Sequence, residues 1–272
     1  MPLRTILILL ILIESEPAFS QIKVMSYNIR FNCCSSCIIQ CLHQEKPILE
    51  RIKGINNIII DESPDIIGIQ EIIKGDVELL FDEVSQIYDF HQYDNLYPRT
   101  ILWKRRKFSL IDRGHFKVKG KIGVNQIDNT SSWVKIENKY SLNKYLIINN
   151  HFTPGNTEEA ELSRINSTQI VIQKISELIE DDYLIVITGD FNAEPNSAPI
   201  NKFNENGFYG VDINNQPTYS GNFEDSRSLK LDYIFIKKNL KASEVKVNQF
   251  KDKEGFFPSD HLPIQATLST SK

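Results

Sequence analysis

Tyr183-Leu-Ile-Val-Ile187-Thr188-Gly189-Asp190-Phe191-Asn192-Ala193-Glu194-Pro195 is the stretch on which the fold turns. A short, β-branched apolar run stopped by Gly and Pro predicts a buried strand whose carboxyl end delivers Asp190 and Asn192 into a loop. Side chains two apart on an extended segment share a face, so both point the same way. Turn initiation is the plain alternative for an Asp and an Asn in this setting.

The same arrangement recurs along the chain. Val24-Met-Ser-Tyr-Asn28-Ile-Arg-Phe31 reads as a strand interrupted by one amide, and Asp65-Ile-Ile-Gly-Ile69 finishes on Gln70-Glu71. Tyr145-Leu-Ile-Ile148 ends at Asn149-Asn150-His151, and Leu231-Asp232-Tyr-Ile-Phe-Ile236 carries an acid at its start. Ser259-Asp260-His261 precedes a last strand. Between these runs the spacing predicts helices over 47–60, roughly 75–86, a long one after an Asn156 cap, and 198–206. The long helix is expected to bury Leu162, Ile165, Ile172, Ile175 and Ile179. Ile101-Leu-Trp103 and Phe108-Ser-Leu-Ile111 read as a hairpin with the cations Lys104 to Lys107 at its turn. Residues 112–132 read as loop or irregular strand. Two helix-crossing units with no repeat or linker argue for one mixed α/β domain.

At 272 residues, with 41% hydrophobic and 24% charged residues, the chain is long enough for one large domain with a sizeable core. A net charge of -4 argues against bulk electrostatic binding of nucleic acid, although a local patch such as Lys104 to Lys107 can still face phosphate. Residues 3–13 form an apolar run too short to span a bilayer, followed by small residues. They predict a signal peptide over 1–20, cleavage near Ser20, and a secreted or periplasmic mature domain over 21–272. No other stretch is a candidate membrane span. The four cysteines Cys33, Cys34, Cys37 and Cys41 would oxidise after export, with three possible pairings. A zinc site is the sharper alternative, but no second Cys or His pair has finger-like spacing. In a eukaryotic host Asn129 and Asn166 are glycosylation acceptors.

Asn28, Glu71, His151, Asp190, Asn192, Asp232, Asp260 and His261 all fall at or near strand ends. If the ends meet, they form an oxygen-rich set without a thiol, suited to Mg²⁺, with Mn²⁺ or Ca²⁺ as alternatives, rather than zinc. Such an ion neutralises phosphate oxygens while a base prepares water, so phosphate-ester hydrolysis is the expected chemistry. Asp232 and His261 read as an acid–imidazole pair in which the carboxylate fixes the tautomer.

These words resemble a known group. Ser26-Tyr-Asn-Ile-Arg30, Ile69-Gln-Glu71, Asn149-Asn-His151, Gly189-Asp-Phe-Asn192, Leu231-Asp-Tyr-Ile234 and Ser259-Asp-His261 are similar, in order, to the signatures of the endonuclease/exonuclease/phosphatase superfamily, which includes deoxyribonuclease I. The resemblance implies a four-layer α/β/β/α sandwich of two mixed sheets flanked by helices, and a divalent-metal phosphohydrolase. By this resemblance Asn28 and Glu71 help hold the metal with Asp260 close by. Asp190 orients or activates water, Asn192 binds phosphate, His261 with Asp232 acts as base or donor, and His151 adds a hydrogen bond. The chain departs from the family pattern in the cysteine cluster, in Tyr97 near the place of an expected glutamate, and in Thr130-Ser-Ser132 where many relatives carry an Arg. Phe152-Thr-Pro also follows His151 where Leu-Asp-His is frequent. The expected substrate is a phosphate ester within a nucleic acid or a lipid or inositol phosphate head group, acted on by a monomer. A non-specific secreted endonuclease and a non-catalytic binding module on the same fold are the alternatives.

Overall fold

The computed structural model describes residues 21–30, 48–72, 84–93, 99–122, 125–179, 182–220 and 229–271. The leader over 1–20, the four cysteines and almost all of the expected 75–86 helix lie outside the described residues.

Two crossover units seed the architecture. β1 (Ile22–Asn28) lies parallel to β2 (Ile66–Gln70), and α1 (Ile48–Glu62) joins them. β7 (Lys144–His151) lies parallel to β8 (Tyr183–Asp190), and α2 (Glu158–Leu178) joins those. Parallel neighbours demand such a crossover because a tight turn cannot reach back to the start of the sheet. Antiparallel strands complete each sheet: β3 (Tyr88–Gln92), β4 (Arg99–Lys104), β11 (Leu240–Val247) and β12 (Ile264–Thr270) join the first. β5 (Phe108–Ile122), β6 (Asn125–Asn138), β9 (Tyr209–Gly210) and β10 (Asp232–Ile236) join the second, with α3 (Ala198–Glu205) outside it. The orders are β11-β12-β1-β2-β4-β3 and β5-β6-β7-β8-β10-β9.

Strand alternation divides the apolar side chains into layers. Val24, Ile66, Ile147, Val186, Ile234 and Ile264 point between the sheets. Met25, Tyr27, Ile67 and Ile69 point outward and meet Ile55, Ile58 and Ile59 of α1. Leu146, Ile148, Ile185 and Ile187 meet Val171 and Ile175 of α2 and Ile200 and Phe203 of α3. The result is the expected sandwich of two mixed sheets between helices.

Three local expectations fail in whole or in part, each for a physical reason. Ile101–Trp103 and Phe108–Ile111 do not pair: β4 belongs to the first sheet and β5 to the second, and the chain crosses between layers at residues 105–107. Of the two readings of 112–132, loop fails and irregular strand holds: they are most of the long β5–β6 pairing, which runs from Phe108↔Asn138 to Ile122↔Asn125. An irregularity between Leu110 and Asp112 shifts the phase there, and such a bulge erases a period-two signal. The α2 helix is capped by Thr157, whose hydroxyl accepts from the Ala160 N–H at 3.2 Å, not by Asn156. Its buried face is Ala160, Ser163, Arg164, Ser167, Thr168, Val171 and Ile175, while Leu162 is 53% exposed. Polar tertiary contacts override hydropathy here: Thr153 and Ser163 share a hydrogen bond, and Arg164 donates to the carbonyls of Thr153 and Gly155.

Candidate active site

Between the sheets the inner face changes character toward one rim. Moving along β1, β2, β7 and β8, apolar side chains give way to Ser26, Gly68, Asn149 and Thr188, and then to Asn28, Gln70, His151 and Asp190. The middle band ties the sheets together. Asn149 accepts from Gln70 Nε2 at 2.6 Å and from Thr188 Oγ1 at 3.2 Å, and donates to the carbonyls of Ile69 and Thr100. Gly68 has no side chain because none fits: an added Cβ would lie 2.8 Å from Asn149 Oδ1 and 2.9 Å from Thr188 Cβ.

At the rim, Asp190 is the hub. Its Oδ2 receives Asn28 Nδ2 at 3.0 Å and lies 3.6 Å from Nε2 of both His151 and His261, while Oδ1 accepts the Asn192 N–H at 2.9 Å. Asn28 Nδ2 also donates to Glu71 Oε1 at 3.0 Å, and His151 Nε2 stands 3.8 Å from that oxygen. Asp232 pairs with Asp190 across β8 and β10, and its Oδ2 meets His261 Nδ1 at 2.8 Å. Asp260 sits 3.6 Å from an Arg30 guanidinium nitrogen. Asn192 donates its amide to the Phe152 carbonyl at 3.1 Å. All eight residues named from the sequence therefore gather at one rim. Strand direction explains it: β1, β2, β7 and β8 end there, and the antiparallel β10 and β12 begin there.

The chain leaves three of these strands through the left-handed region. Arg30 (φ 55°), Glu71 (φ 62°) and Asn192 (φ 48°) are all non-glycine. Asn visits that region readily, whereas Arg and Glu hold it at a cost of ~1 kcal/mol or more that surrounding contacts must offset. For Arg30 the restraint is visible: the buried Arg51 guanidinium of α1 donates to the carbonyls of Ile29, Arg30 and Pro258 at 2.7–2.8 Å.

Burial grades across the site. The Asp190 side chain is 1% exposed, while those of Glu71 and His151 are 20% and 16% exposed, so the cleft opens on the Glu71 side. Burial works against a charged His261 ring, but Asp232 and then Asp190 outweigh it and hold the imidazole up at about 10. Asp232 and Asp190 thus favour the cationic, donating form of the His261 ring. Burial pushes the Asp190 carboxyl above the usual range, with His261 and His151 pulling it back. His151 is pushed below its ordinary value by burial, against the pull of Asp190, which leaves a neutral ring.

The donor chemistry fits a hard divalent ion. The carboxylates of Glu71, Asp190 and Asp260 offer hard oxygen, Glu71 at the open side and the other two buried, while Asn28 turns its N–H toward Glu71 and Asp190 and its Oδ1 accepts from the Arg30 N–H; no thiol stands with them among the described residues. Asp190, Asp232 and His261 bring ligand atoms within 4.8 Å of one another, although Asp232 Oδ2 is already committed to His261.

The cations Lys104 to Lys107 take no part in the site. Gln70↔Arg99 lies at the polar-rim end of the β2–β4 pairing and Ile66↔Trp103 at the other, so this turn occupies the opposite rim. There Lys104 and Lys107 pair with Asp65 at 3.1 and 2.6 Å, and Arg105 with Asp89 at 2.7 Å. Asn129 is likewise unsuited to carry a glycan: it is buried, accepts from Arg99, and donates to the His151 carbonyl at 2.9 Å. Asn166 is exposed. Arg99 also donates to that carbonyl at 2.9 Å, so a cation reaches this wall from β4 although Thr130-Ser-Ser132 on β6 supplies none.

Sequence reading missed the strip over 218–220. Thr218 Oγ1 accepts from the N–H groups of Leu231 and Asp232, and its carbonyl accepts from Leu262. Ser220 donates twice to the Asp260 carbonyl, and the Tyr219 ring lies 4.7 Å from that of His261. In the sequence Thr-Tyr-Ser-Gly carries only a turn signal.

Residues 25–261 match the model of the Endonuclease/Exonuclease/phosphatase family. No curated protein matches the chain in sequence. Among solved structures, an endonuclease/exonuclease/phosphatase family protein from Bacteroides thetaiotaomicron superposes with a TM-score of 0.78 at 19% identity, covering 92% of this chain and 95% of that one. A mannosyl-6-phosphatase from the same species gives 0.73 at 19%, covering 91% and 99%. D. rerio TDP2 complexed with single-strand DNA product gives 0.71 at 17%, covering 92% and 100%. At such identities these likenesses are likenesses of fold. With the family model matched across nearly the whole described body, the chain belongs to the Endonuclease/Exonuclease/phosphatase family, a family of phosphoester hydrolases.

Proposed function

We propose that the chain is an exported, monomeric, Mg²⁺-dependent hydrolase of phosphate esters. The observation that carries this reading is the Asp232–His261–Asp190 relay beside the Glu71 carboxylate, with the Asn28 N–H bridging Glu71 and Asp190. A bound divalent ion would be held by Glu71 with Asn28 and Asp260, and would supply charge neutralisation at the phosphate oxygens.

The chain's own residues supply the remaining chemistry. Asp190 orients the attacking water and accepts its proton, a task helped by a carboxyl that burial makes more basic. His261, kept cationic by Asp232, donates to the phosphate oxygen on which charge grows. His151 and Asn192 add neutral hydrogen bonds, and Asn28 spaces the two acids between which it is held.

The solved relatives include a mannosyl-6-phosphatase and a TDP2 bound to DNA, so the fold alone leaves monoesters and diesters both open. The nuclease reading lost its cationic turn to the far rim, and no helix among the described residues is long and apolar enough to cross a membrane. The test uses mature protein with Mg²⁺, p-nitrophenyl phosphate and bis(p-nitrophenyl) phosphate. Asp190→Asn and His261→Gln each lower the rate ~100-fold or more while circular dichroism is unchanged. Full activity in both variants overturns the reading.

A further inference from the structure

We propose that Tyr219 is a substrate-contacting residue of this site, its phenol hydroxyl donating a hydrogen bond to a non-bridging oxygen of the bound phosphate. The assignment rests on the phosphohydrolase reading above and adds a residue to it.

The backbone fixes where this ring must lie. Tyr219 bridges both Leu229 and His261, with its N–H donating to the Leu229 carbonyl at 2.9 Å and its own carbonyl accepting from Leu229 at 3.1 Å. On either side, Thr218 and Ser220 are buried and hold the segments that carry Asp232 and Asp260. Alternation therefore sends the Tyr219 side chain to the other face of the strip, where its ring tilts 50° against His261. The position is half-buried.

The hydroxyl is unspent. Among the described residues no hydrogen bond engages it, although a buried or half-buried phenol ordinarily finds a partner. Its surroundings are the site's own charges: burial, then Asp260, Asp190 and Glu71, push the phenol upward, and Arg30 opposes them. A protonated phenol beside the His261 ring, within the influence of the site's carboxylates, is a donor to whatever acceptor enters the cleft. An anion with several oxygens, bound next to the His261 cation, supplies one.

The ring and the hydroxyl separate experimentally. Tyr219→Phe keeps the contact with His261 and deletes the donor, whereas Tyr219→Ala deletes both. Calorimetric titration with inorganic phosphate in the presence of Mg²⁺, and with Mg²⁺ alone, reads the two contributions. We expect Tyr219→Phe to bind phosphate about ten-fold more weakly than wild type, a typical loss for a hydrogen bond to a charged group, with unchanged Mg²⁺ affinity and melting temperature. In hydrolysis of p-nitrophenyl phosphate the same variant raises KM or lowers kcat/KM by a similar factor, which a bracing role alone would not do. Wild-type phosphate affinity in Tyr219→Phe, with loss confined to Tyr219→Ala, overturns the assignment and leaves the ring as a brace. Wild-type protein that binds neither Mg²⁺ nor phosphate overturns the phosphohydrolase reading itself, and this assignment with it.

Discussion

Gly68→Ala is the sharpest test of how the sheets hold the site. The new methyl would fall inside the van der Waals envelope of Thr188 Oγ1, and rotating that hydroxyl away gives little relief, because Thr188 Cβ is fixed by the backbone at 2.9 Å. A contact of that kind needs about 3.4 Å, so the sheets must part by roughly half an ångström at the polar band. Overpacking of this size costs ~1–3 kcal/mol, and the entropy lost by the unfolded chain on Gly→Ala returns ~0.5 kcal/mol, leaving a net loss of about 1.5 kcal/mol. In urea the midpoint should fall by roughly 1 M with the slope unchanged. The displacement also reaches the chemistry, because Thr188 and Asn149 sit two residues before Asp190 and His151 on the same face. A shift of this order should slow hydrolysis about ten-fold. Pairing the variant with Thr188→Gly removes the Thr188 atoms, leaving only Asn149 Oδ1 at 2.8 Å, and should recover ~1 kcal/mol of coupling energy. A Gly68→Ala protein with wild-type midpoint and rate would refute the close approach as the element that sets the gap.

Two further outcomes follow from the electrostatics. His261 is raised from 6.5 to about 10 chiefly through Asp232, so its contribution to stability is fully present below pH 6.5 and is lost as pH rises through 10. Wild-type urea midpoints should therefore decline across that window and those of Asp232→Asn should not; equal slopes would show that the pair does not hold the proton. Lys104→Met with Lys107→Met leaves the Asp65 carboxylate, 11% exposed, without its cations. The double variant should lose about 2 kcal/mol of stability and none of its hydrolytic rate, and any substantial loss of rate would return the turn to the site.

What could be read from the chain in advance was whatever period-two alternation carries. Asn28, Glu71, His151, Asp190 and Asp232 announced themselves because each follows or opens an apolar run, and strand direction alone then brought them to one rim. The same logic misled where the environment, not the residue, sets burial. Leu162 reads as core and is exposed, whereas Arg164 reads as surface and is buried, because its guanidinium answers two loop carbonyls that no local pattern reveals. The length of the β5–β6 pairing was not legible because its bulge at residues 110–112 shifts the phase, and between 112 and 118 only Phe116 and Val118 are buried apolar residues. Thr218 and Tyr219 stayed hidden for a third reason: their importance lies in backbone partners about 10 and 40 residues away, and hydrogen bonds to carbonyls leave no trace in composition.

The three carbonyls gathered by Arg51 make the outermost layer answerable to the proposed ion site. One guanidinium on α1 fixes both the segment that follows Asn28 and the one that precedes Asp260, so the two cannot loosen independently while the helix is docked. Thermodynamic reciprocity then runs in both directions. Whatever an ion gains from finding those two segments already ordered, the helix regains in resistance to fraying once the ion is bound, and a layer that touches no substrate acquires a stake in every occupancy of the cleft.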